Sequence, residues 1–314
     1  MSGPPVPPAG FRIGHWSDLE GRTGCTVVIA PEGTRGGVDV RGGGPGTRET
    51  DVISPLAGTD RVTAVMLAGG SAYGLAAADG AMRWLEEHGI GYPTPAGVVP
   101  IVPAAIVYDL AEGDPAARPD SDAGYAACEA AREGVPERGR VGAGSGTAAS
   151  KLLGRDNAVA SGVGYSAARG AGGVTVAALA VANPFGDVLG ADGEPIALAR
   201  GADGQAVRTA EAIAAMKEPP DPFKVQPGNT TLVCVMTDAA LDKAGCARLA
   251  RAAAAGVARA VEPVFTDVDG DVVFCLAFGN GEAADRFTLL QAQTLAARVV
   301  ADAIRDAVAS SATG

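Results

Sequence analysis

Apolar runs separated by glycine- and proline-rich turns extend along the chain, and several of these runs predict β-strands. Residues 174–182 are apolar at nearly every position, which is typical of a strand buried on both faces. Residues 231–236 and 271–278 are also apolar and β-rich. Shorter strands are predicted at residues 25–30, 38–41, 62–67 and 101–110.

Apolar residues at helical spacing predict helices between these strands. The helices are expected at residues 75–88, 121–132, 206–216, 242–261 and 286–309. Asp120 or Ser121 would cap the second helix and Asp242 the fourth, because their side-chain oxygens accept hydrogen bonds from the first turn. Since strands and helices are mixed without repeats or a charged linker, we expect residues 1–314 to form one domain around a buried sheet.

The composition favours a large, tightly packed core. Of the 314 residues, 47% are hydrophobic and only 19% are charged, so a many-layered domain or a buried oligomer interface is expected. The 45 glycines and 21 prolines are dispersed among apolar runs, which argues against a collagen-like or disordered chain.

The net charge, the length of the apolar stretches and the N-terminal residues indicate which partners and which location to expect. A net charge of -11 repels phosphate backbones, so we expect no nucleic-acid partner. No apolar stretch is long enough to span a bilayer, so we expect no membrane partner either. Residues 1–10 have neither a charged head nor a hydrophobic signal core, and a cytoplasmic location is therefore expected.

Cysteine and histidine offer little for metal or nucleophilic chemistry. The five cysteines form no CxxC pair and are expected to be buried thiols: Cys25, Cys128, Cys234, Cys246 and Cys275. The two histidines, His15 and His88, exclude a histidine-rich zinc site and leave few candidates for a Ser-His-Asp triad. His15 is expected to be structural, in a Gly-His-Trp turn.

The first candidate for chemistry is Thr230, which follows a loop rich in proline and opens an apolar strand. If the chain broke before Thr230, this residue would carry both a hydroxyl nucleophile and a free α-amine. Such an amine has a pKa of roughly 7.7–8.0 and is a plausible base near neutral pH. The alternative interpretation of Asn229-Thr230 is an ordinary turn at the end of a loop.

The second candidate is the acidic stretch from 267 to 271, just before a predicted strand. Asp269 and Asp271 are two residues apart, so in a strand both side chains leave the same face and can polarise a nearby hydroxyl or ammonium. A simple turn is the alternative, and the twelve-residue calcium pattern is absent.

Two glycine-rich segments do not support nucleotide binding. Residues 142–147 precede Lys151 but lack the adjacent Gly-Lys-[Ser/Thr] of a phosphate loop, and residues 69–74 lack GxGxxG spacing. Tyr108 and Asn183 are polar residues at the ends of apolar runs, and taken separately each is typical of a satisfied core group.

Together these motifs resemble those of one family, which contains the L-aminopeptidase/D-esterases, the β-peptidyl aminopeptidases and the endo-type 6-aminohexanoate-oligomer (nylon oligomer) hydrolases. The resemblance runs from about Gly14 to Val308. Its markers, in order, are Gly24-Cys25-Thr26-Val27, Arg41-Gly42-Gly43, Leu67-Ala68-Gly69-Gly70-Ser71-Ala72-Tyr73-Gly74-Leu75, Val107-Tyr108-Asp109, Gly142-Ala143-Gly144-Ser145-Gly146, Ala182-Asn183-Pro184, Gly228-Asn229-Thr230-Thr231 and Asp269-Gly270-Asp271.

The resemblance implies an α+β fold, a four-layer αββα sandwich similar to that of N-terminal-nucleophile hydrolases. It implies a precursor that cuts itself between Asn229 and Thr230 into fragments 1–229 and 230–314, which assemble as heterodimers into tetramers or larger homo-oligomers. The two aspartates, where some family members have Ser and Glu, look more like the nylon-oligomer hydrolases. The implied catalytic residues are Thr230, Asp269, Asp271, Asn183, Lys151 and Tyr108.

In the implied mechanism Thr230 is the nucleophile and Asp269 and Asp271 orient the proton network. Asn183 donates to the oxyanion with help from Tyr108, and Lys151 tunes the charges. No cofactor or metal is required, and the substrate is a small amide or peptide.

Three alternatives stay open at this stage. The first is an aminopeptidase that acts on small peptides, β-peptides or amino-acid amides. The second is an acyltransferase similar to ornithine acetyltransferase, which has a related fold. The third is a non-catalytic assembly protein with the same fold, whose chain would remain uncut.

Overall fold

A computed structural model describes residues 6–201, 203–218, 228–279 and 281–312. The first ten strands are β1 (Arg12–Asp18), β2 (Thr23–Ile29), β3 (Arg35–Val40), β4 (Thr47–Arg48), β5 (Ala64–Ala68), β6 (Tyr92–Thr94), β7 (Gly97–Val99), β8 (Ala104–Ile106), β9 (Ala148–Ala149) and β10 (Val159–Ala160). The remaining strands are β11 (Val163–Arg169), β12 (Thr175–Asn183), β13 (Asp187–Leu189), β14 (Pro195–Ala197), β15 (Ala199–Arg200), β16 (Ala206–Val207), β17 (Thr230–Thr237), β18 (Val261–Glu262) and β19 (Val272–Ala277).

The helices lie between these strands in the sequence. The α-helices are α1 (Ala77–Glu87), α2 (Ser121–Ala130), α3 (Thr209–Ala215), α4 (Lys243–Ala260) and α5 (Arg286–Ser311). Three short 3₁₀ segments occupy Ser71–Ala76, Gly142–Gly144 and Arg155–Asn157.

Two five-stranded sheets form the centre of the fold. The first sheet has the order β1-β2-β5-β8-β4, and the second has the order β11-β12-β17-β19-β3. Most neighbours are antiparallel, but β5 is parallel to β8 and β17 is parallel to β19. The predicted strand at residues 174–182, buried on both faces, is confirmed as β12, which pairs with β11 on one side and with β17 on the other.

Three apolar layers separate four layers of secondary structure. Side chains such as Leu67 from the first sheet and Leu232 from the second meet between the sheets. The opposite face of the first sheet packs on α1 and α2, and that of the second sheet packs on α4 and α5. Because both faces of each sheet are covered, the chain is an αββα sandwich, as the sequence predicts.

Two predicted helix starts are confirmed by their caps. The side chain of Asp120 accepts a hydrogen bond from the Ala123 amide at 2.9 Å, and that of Asp242 accepts one from the Gly245 amide at 2.6 Å.

All five cysteines are free and buried. Among the described residues, no helix is long and apolar enough to cross a membrane.

Three sequence predictions need correction. The Gly-His-Trp turn is wrong, because His15 lies inside β1, where it pairs with Thr26 of β2. The predicted helix at 206–216 starts later, at Thr209, since residues 206 and 207 form β16. Only Ala104–Ile106 of the predicted strand at 101–110 is a strand, and Pro103 just before it has no N–H for the sheet. The loop prolines at 219, 220, 222 and 227 lie outside the described residues.

Glycine brings the outer helices into close contact. A Cβ on Gly124 of α2 would lie 1.8 Å from the carbonyl oxygen of Ala77, and one on Gly80 of α1 would lie 1.7 Å from that of Ser121. The backbones of α1 and α2 therefore touch where neither residue has a side chain. At these positions glycine serves to bring two helices of the same layer into close contact.

We expect Gly124→Ala to lower the free energy of unfolding by about 1–3 kcal/mol, because its methyl group must displace backbone rather than a flexible side chain. Gly58→Ala is the matched control, since a Cβ there meets no atom within 4 Å, and its effect should stay within about 0.5 kcal/mol. Urea denaturation measures both. Equal stability of the two variants would contradict the close contact.

Candidate active site

Thr230 is the first residue of β17, and the sheet fixes its position. Antiparallel pairing sets Thr230 opposite Asn183, the last residue of β12. On the other side, Asn229 forms a parallel bridge with Asp269, just ahead of β19. Asn183, Asn229, Thr230 and Asp269 are all buried. Because the ends of β12, β17 and β19 are adjacent, predicted site residues that are distant in the sequence lie together at one end of these strands.

The Asn229–Thr230 peptide bond is held by hydrogen bonds to its carbonyl oxygen. The Thr230 hydroxyl donates to the Asn229 oxygen at 2.5 Å, and the Gly270 amide donates to the same oxygen at 2.8 Å. Such donors withdraw electron density from the carbonyl carbon and stabilise negative charge that develops on its oxygen. The arrangement places the Thr230 hydroxyl beside a polarised carbonyl.

The side-chain amide of Asn183 connects several parts of the site. Its Oδ1 accepts hydrogen bonds from Lys151 Nζ at 2.6 Å and from the Ala148 amide at 3.2 Å. Its Nδ2 donates to the carbonyl oxygens of Tyr108 at 3.3 Å and Gly228 at 3.2 Å. This N–H group therefore lies against Gly228, one residue before Asn229. Its donor side faces the segment that precedes Thr230.

Lys151 is buried, and its ammonium contacts only Asn183 among the hydrogen bonds described, through the carbonyl oxygen at 2.8 Å and through Oδ1. Burial lowers the pKa of Lys151 well below its usual range, because a charged amine loses its hydration. The charge of Arg155 lowers this pKa further, whereas three carboxylates raise it: Glu112, Asp269 and Asp271. Lys151 can therefore give up its proton, and act as a proton acceptor, more readily than an exposed lysine.

Tyr108 is half-buried and packs against Gly228. A Cβ on Gly228 would lie 2.7 Å from the Tyr108 ring, and Gly228 has a φ of 127°, so a glycine is required here for two reasons. The guanidinium of Arg155 lies 5.5 Å from the ring centroid, and its Nη2 donates to the Tyr108 carbonyl oxygen at 3.3 Å. The Tyr108 ring thus packs along the segment that precedes Thr230.

The two aspartates lie before β19 rather than inside it, and each organises a different part of the site. Asp269 accepts hydrogen bonds from the Thr266 hydroxyl at 2.5 Å and from the Phe185 amide at 3.3 Å. Asp271 accepts them from the Thr231 amide at 2.5 Å and the Phe265 amide at 3.3 Å. Both carboxylates are buried near Thr230, but neither has a described hydrogen bond to its hydroxyl.

Burial raises the pKa of Asp271 to about 7, and the nearby negative charge of Asp269 raises it as well. The two carboxylates are therefore close enough to oppose joint ionisation, as their spacing in the sequence predicts. The hydrogen bonds from Thr231 and Phe265 act in the opposite direction and lower this pKa. At neutral pH Asp271 can therefore exchange a proton.

Three further groups contact the site and were not predicted from the sequence. They are the Gly270 amide on the Asn229 oxygen, the Arg155 guanidinium on Tyr108, and Glu112, which forms an ion pair with Arg155. A backbone N–H has no signal in the sequence. The sequence offered one indication for Arg155, which is that it follows the predicted site residue Lys151 by four residues. Among the described residues, no group of His, Cys, Asp or Glu side chains is arranged to hold a metal ion.

The raised pKa of Asp271 predicts a specific effect on stability. The folded chain keeps this proton up to about pH 7, whereas an unfolded aspartic acid releases it near 3.9, so this group makes stability fall as the pH rises between the two values. In a Thr230→Ala background, Asp271→Asn should flatten the stability–pH curve over that range. Asp192→Asn, in an exposed turn, is the control. Urea denaturation from pH 4 to 8 measures this, and an unchanged slope in Asp271→Asn would contradict it.

Comparisons with known proteins agree on one family. The chain matches peptidase family S58 over residues 9–313. It is 46% identical over 282 residues to an uncharacterized aminopeptidase of Mycobacterium tuberculosis, covering 86% of this chain and 80% of that protein. It is 32% identical over 271 residues to the 6-aminohexanoate-oligomer endohydrolase of Kocuria sp., covering 85% of this chain and 72% of that protein.

Solved structures show the same fold. The chain aligns with the beta-aminopeptidase of Burkholderia sp. with a TM-score of 0.72 at 21% identity, over 99% of this chain and 89% of that one. It aligns with the L-aminopeptidase D-Ala-esterase/amidase of Ochrobactrum anthropi, a variant of the Ntn hydrolase fold, with a TM-score of 0.73 at 19% identity, over 99% and 88%. The predicted resemblance and fold are confirmed. The chain belongs to peptidase family S58 and is a hydrolase of peptide or other amide bonds.

Proposed function

We propose that this hydrolase cuts its own chain between Asn229 and Thr230 and then uses Thr230 as an N-terminal nucleophile. The observation that carries this proposal is the carbonyl oxygen of Asn229, which accepts hydrogen bonds from both the Thr230 hydroxyl and the Gly270 amide. A polarised carbonyl beside a hydroxyl nucleophile is the arrangement that an acyl shift requires.

In the self-cleavage step, Thr230 Oγ attacks the carbonyl carbon of Asn229 and loses its proton. The C–N bond breaks, the proton is delivered to the Thr230 nitrogen, and an ester joins Asn229 to Thr230 Oγ. Water then hydrolyses this ester, which leaves a carboxylate on Asn229 and both a free amine and a free hydroxyl on Thr230. One water molecule is consumed. The lowered pKa of Lys151 and the raised pKa of Asp271 support them as carriers of the proton.

In the mature enzyme, Thr230 Oγ attacks the amide carbon of the substrate, the amine product leaves, and water hydrolyses the acyl-enzyme. The α-amine of Thr230 accepts and returns the proton, with Asp269 and Asp271 orienting the network. Cleavage frees the chain at Gly228, so the Asn183 amide becomes available to an oxyanion of the substrate. The hydrogen bond from Lys151 to Asn183 Oδ1 supports this role, because it keeps Nδ2 on the donor side.

The substrate class is proposed from the site and the relatives together. We favour linear amides similar to 6-aminohexanoate oligomers, supported by two aspartates at 269 and 271 and by a relative named for that activity. An aminopeptidase of small peptides is the second candidate, and the mycobacterial relative with higher identity is named for it. Buried carboxylates near Thr230 also suit a substrate ammonium. Hydrolysis of an amino-acid amide, a β-dipeptide and a 6-aminohexanoate oligomer, compared at equal concentration, separates the two.

We also propose that the processed heterodimers assemble into tetramers or larger homo-oligomers in the cytoplasm. Phe287 and Leu290 support an interface, because they lie three residues apart near the start of α5 and are 62% and 58% exposed. Light scattering measures the assembled mass.

Thr230→Ala should leave the fold intact but abolish both self-cleavage and amide hydrolysis, because it removes the hydroxyl and little volume. Thr230→Ser keeps a hydroxyl and should retain partial cleavage. The matched control is Thr237→Ala, at the other end of the same strand, where the hydroxyl donates to the Thr175 carbonyl oxygen. Gel analysis after long incubation, with sequencing of the smaller band, checks this: that band should begin Thr-Thr-Leu-Val-Cys in the wild type. Cleavage of Thr230→Ala at the same bond would refute the assignment.

Asp271→Asn should lower kcat severely, by about a hundredfold or more, because asparagine is nearly isosteric but cannot carry the proton or balance the cations. Asp269→Asn should lower it as well. Steady-state kinetics with circular dichroism on both variants provides the test. A folded Asp271→Asn enzyme with wild-type kcat would remove this carboxylate from the mechanism.

A further inference from the structure

The ion pair between Arg155 and Glu112 joins two loops that carry site residues. Glu112 lies on a turn directly after Tyr108, closed by its own amide donating to the Asp109 carbonyl oxygen at 2.9 Å. Both side chains of the pair are largely shielded from solvent, with 26% of Arg155 and 15% of Glu112 exposed. The pair therefore ties the Tyr108 loop to the loop that carries Lys151.

Arg155 and Lys151 flank one tight turn. The Gly154 amide donates to the Lys151 carbonyl oxygen at 2.9 Å, and Gly154 has a φ of 83°, a conformation that favours glycine. The turn is short and closed, so it sets the spacing between the backbones of Lys151 and Arg155.

The same guanidinium also reaches the amide network. The Tyr108 carbonyl oxygen accepts from Arg155 Nη2 and from Asn183 Nδ2, each at 3.3 Å. Lys151 Nζ in turn donates to Asn183 Oδ1 at 2.6 Å. Arg155, Tyr108, Asn183 and Lys151 thus form a closed ring of contacts, completed by the turn at Gly154. All its members precede Asn229, so cleavage before Thr230 leaves the ring in one fragment.

We propose that Arg155, anchored by Glu112, is a positioning residue that clamps the Tyr108 carbonyl and thereby holds Asn183 and Lys151 in their reactive arrangement. A guanidinium suits this role, because its fixed fork can pair with a carboxylate and a carbonyl at once. This inference rests on the site assigned under the proposed function, and it adds to that site two residues that do not touch the reacting atoms.

The pair has an electrostatic consequence that separates this role from simple loop packing. Among the charged groups that face Lys151, Arg155 lowers its pKa, and the carboxylates of Glu112, Asp269 and Asp271 raise it. Removal of Arg155 and removal of Glu112 break the same ion pair but change the charge near Lys151 in opposite directions.

The first experiment measures kinetics of Arg155→Met and Glu112→Gln. We expect kcat/KM to fall about ten- to hundredfold, mainly through kcat, because misplacement of catalytic groups by about 1 Å costs on the order of a hundredfold. Arg155→Lys should show nearly the same fall in kcat/KM as Arg155→Met, since lysine lacks the planar, forked guanidinium group. Arg138→Met is the control, because it breaks an ion pair with Asp306 on α5. Wild-type kcat/KM in folded Arg155→Met would overturn the proposal.

The second experiment reads Lys151 directly and needs no activity. The chain has only four lysines, at 151, 217, 224 and 243, so ¹³Cε-lysine NMR can follow each ammonium through a pH titration. In a Thr230→Ala background, Arg155→Met should raise the pKa of Lys151 and Glu112→Gln should lower it. Shifts of these signs place both charges beside Lys151, as the clamp requires, and the absence of a shift in both variants would overturn it. If the wild-type chain does not cut itself, the proposed function fails, while this titration still decides the clamp.

Discussion

The pairing of Asn183 with Thr230 at the end of two central strands is the constraint on which the site depends. β12 and β17 are buried on both faces, so a shift of register by one residue would turn every side chain to the opposite face of the sheet. Such a shift would disturb both apolar layers that cover the second sheet. The hydrophobic core therefore fixes where Thr230 lies relative to the Asn183 amide. In this fold, the packing of the sandwich determines how precisely the residues of the site are placed relative to one another.

Burial gives the second property of the site, because it changes the pKa of two groups near Thr230 in opposite directions. Lys151 loses hydration and its pKa falls, whereas Asp271 loses hydration beside Asp269 and its pKa rises to about 7. An amine that releases its proton more readily and a carboxyl group that holds its proton longer thus lie in the same site. The hydrogen bonds to Asp271 from the Thr231 and Phe265 amides limit this shift by stabilising the carboxylate.

Much of the architecture could be predicted from the sequence, because long apolar runs and capping aspartates are local signals. Residues 174–182 indicated a strand buried on both faces, and Asp242 marked the start of α4. The strand that contains His15 was missed, because Gly14 is present for a close approach to α2, where a Cβ would lie 2.1 Å from the Ala127 oxygen, rather than for a turn. The order of motifs indicated the family and the residues proposed for the site. The Gly270 amide and the Arg155–Glu112 pair could not be predicted, since both depend on contacts between distant segments.

The central claim is that the residue that opens β17 becomes the nucleophile of an amide hydrolase, and mass spectrometry of the acyl-enzyme tests it most directly. Processed protein is mixed with a 6-aminohexanoate oligomer or an amino-acid amide, quenched in acid within milliseconds to seconds, and its fragments are weighed intact. The account predicts that the fragment of residues 230–314 gains the mass of the acyl group, that fragmentation locates this mass on Thr230, and that it disappears as substrate is exhausted. An acyl group on fragment 1–229, or turnover by an uncut chain, would contradict the account.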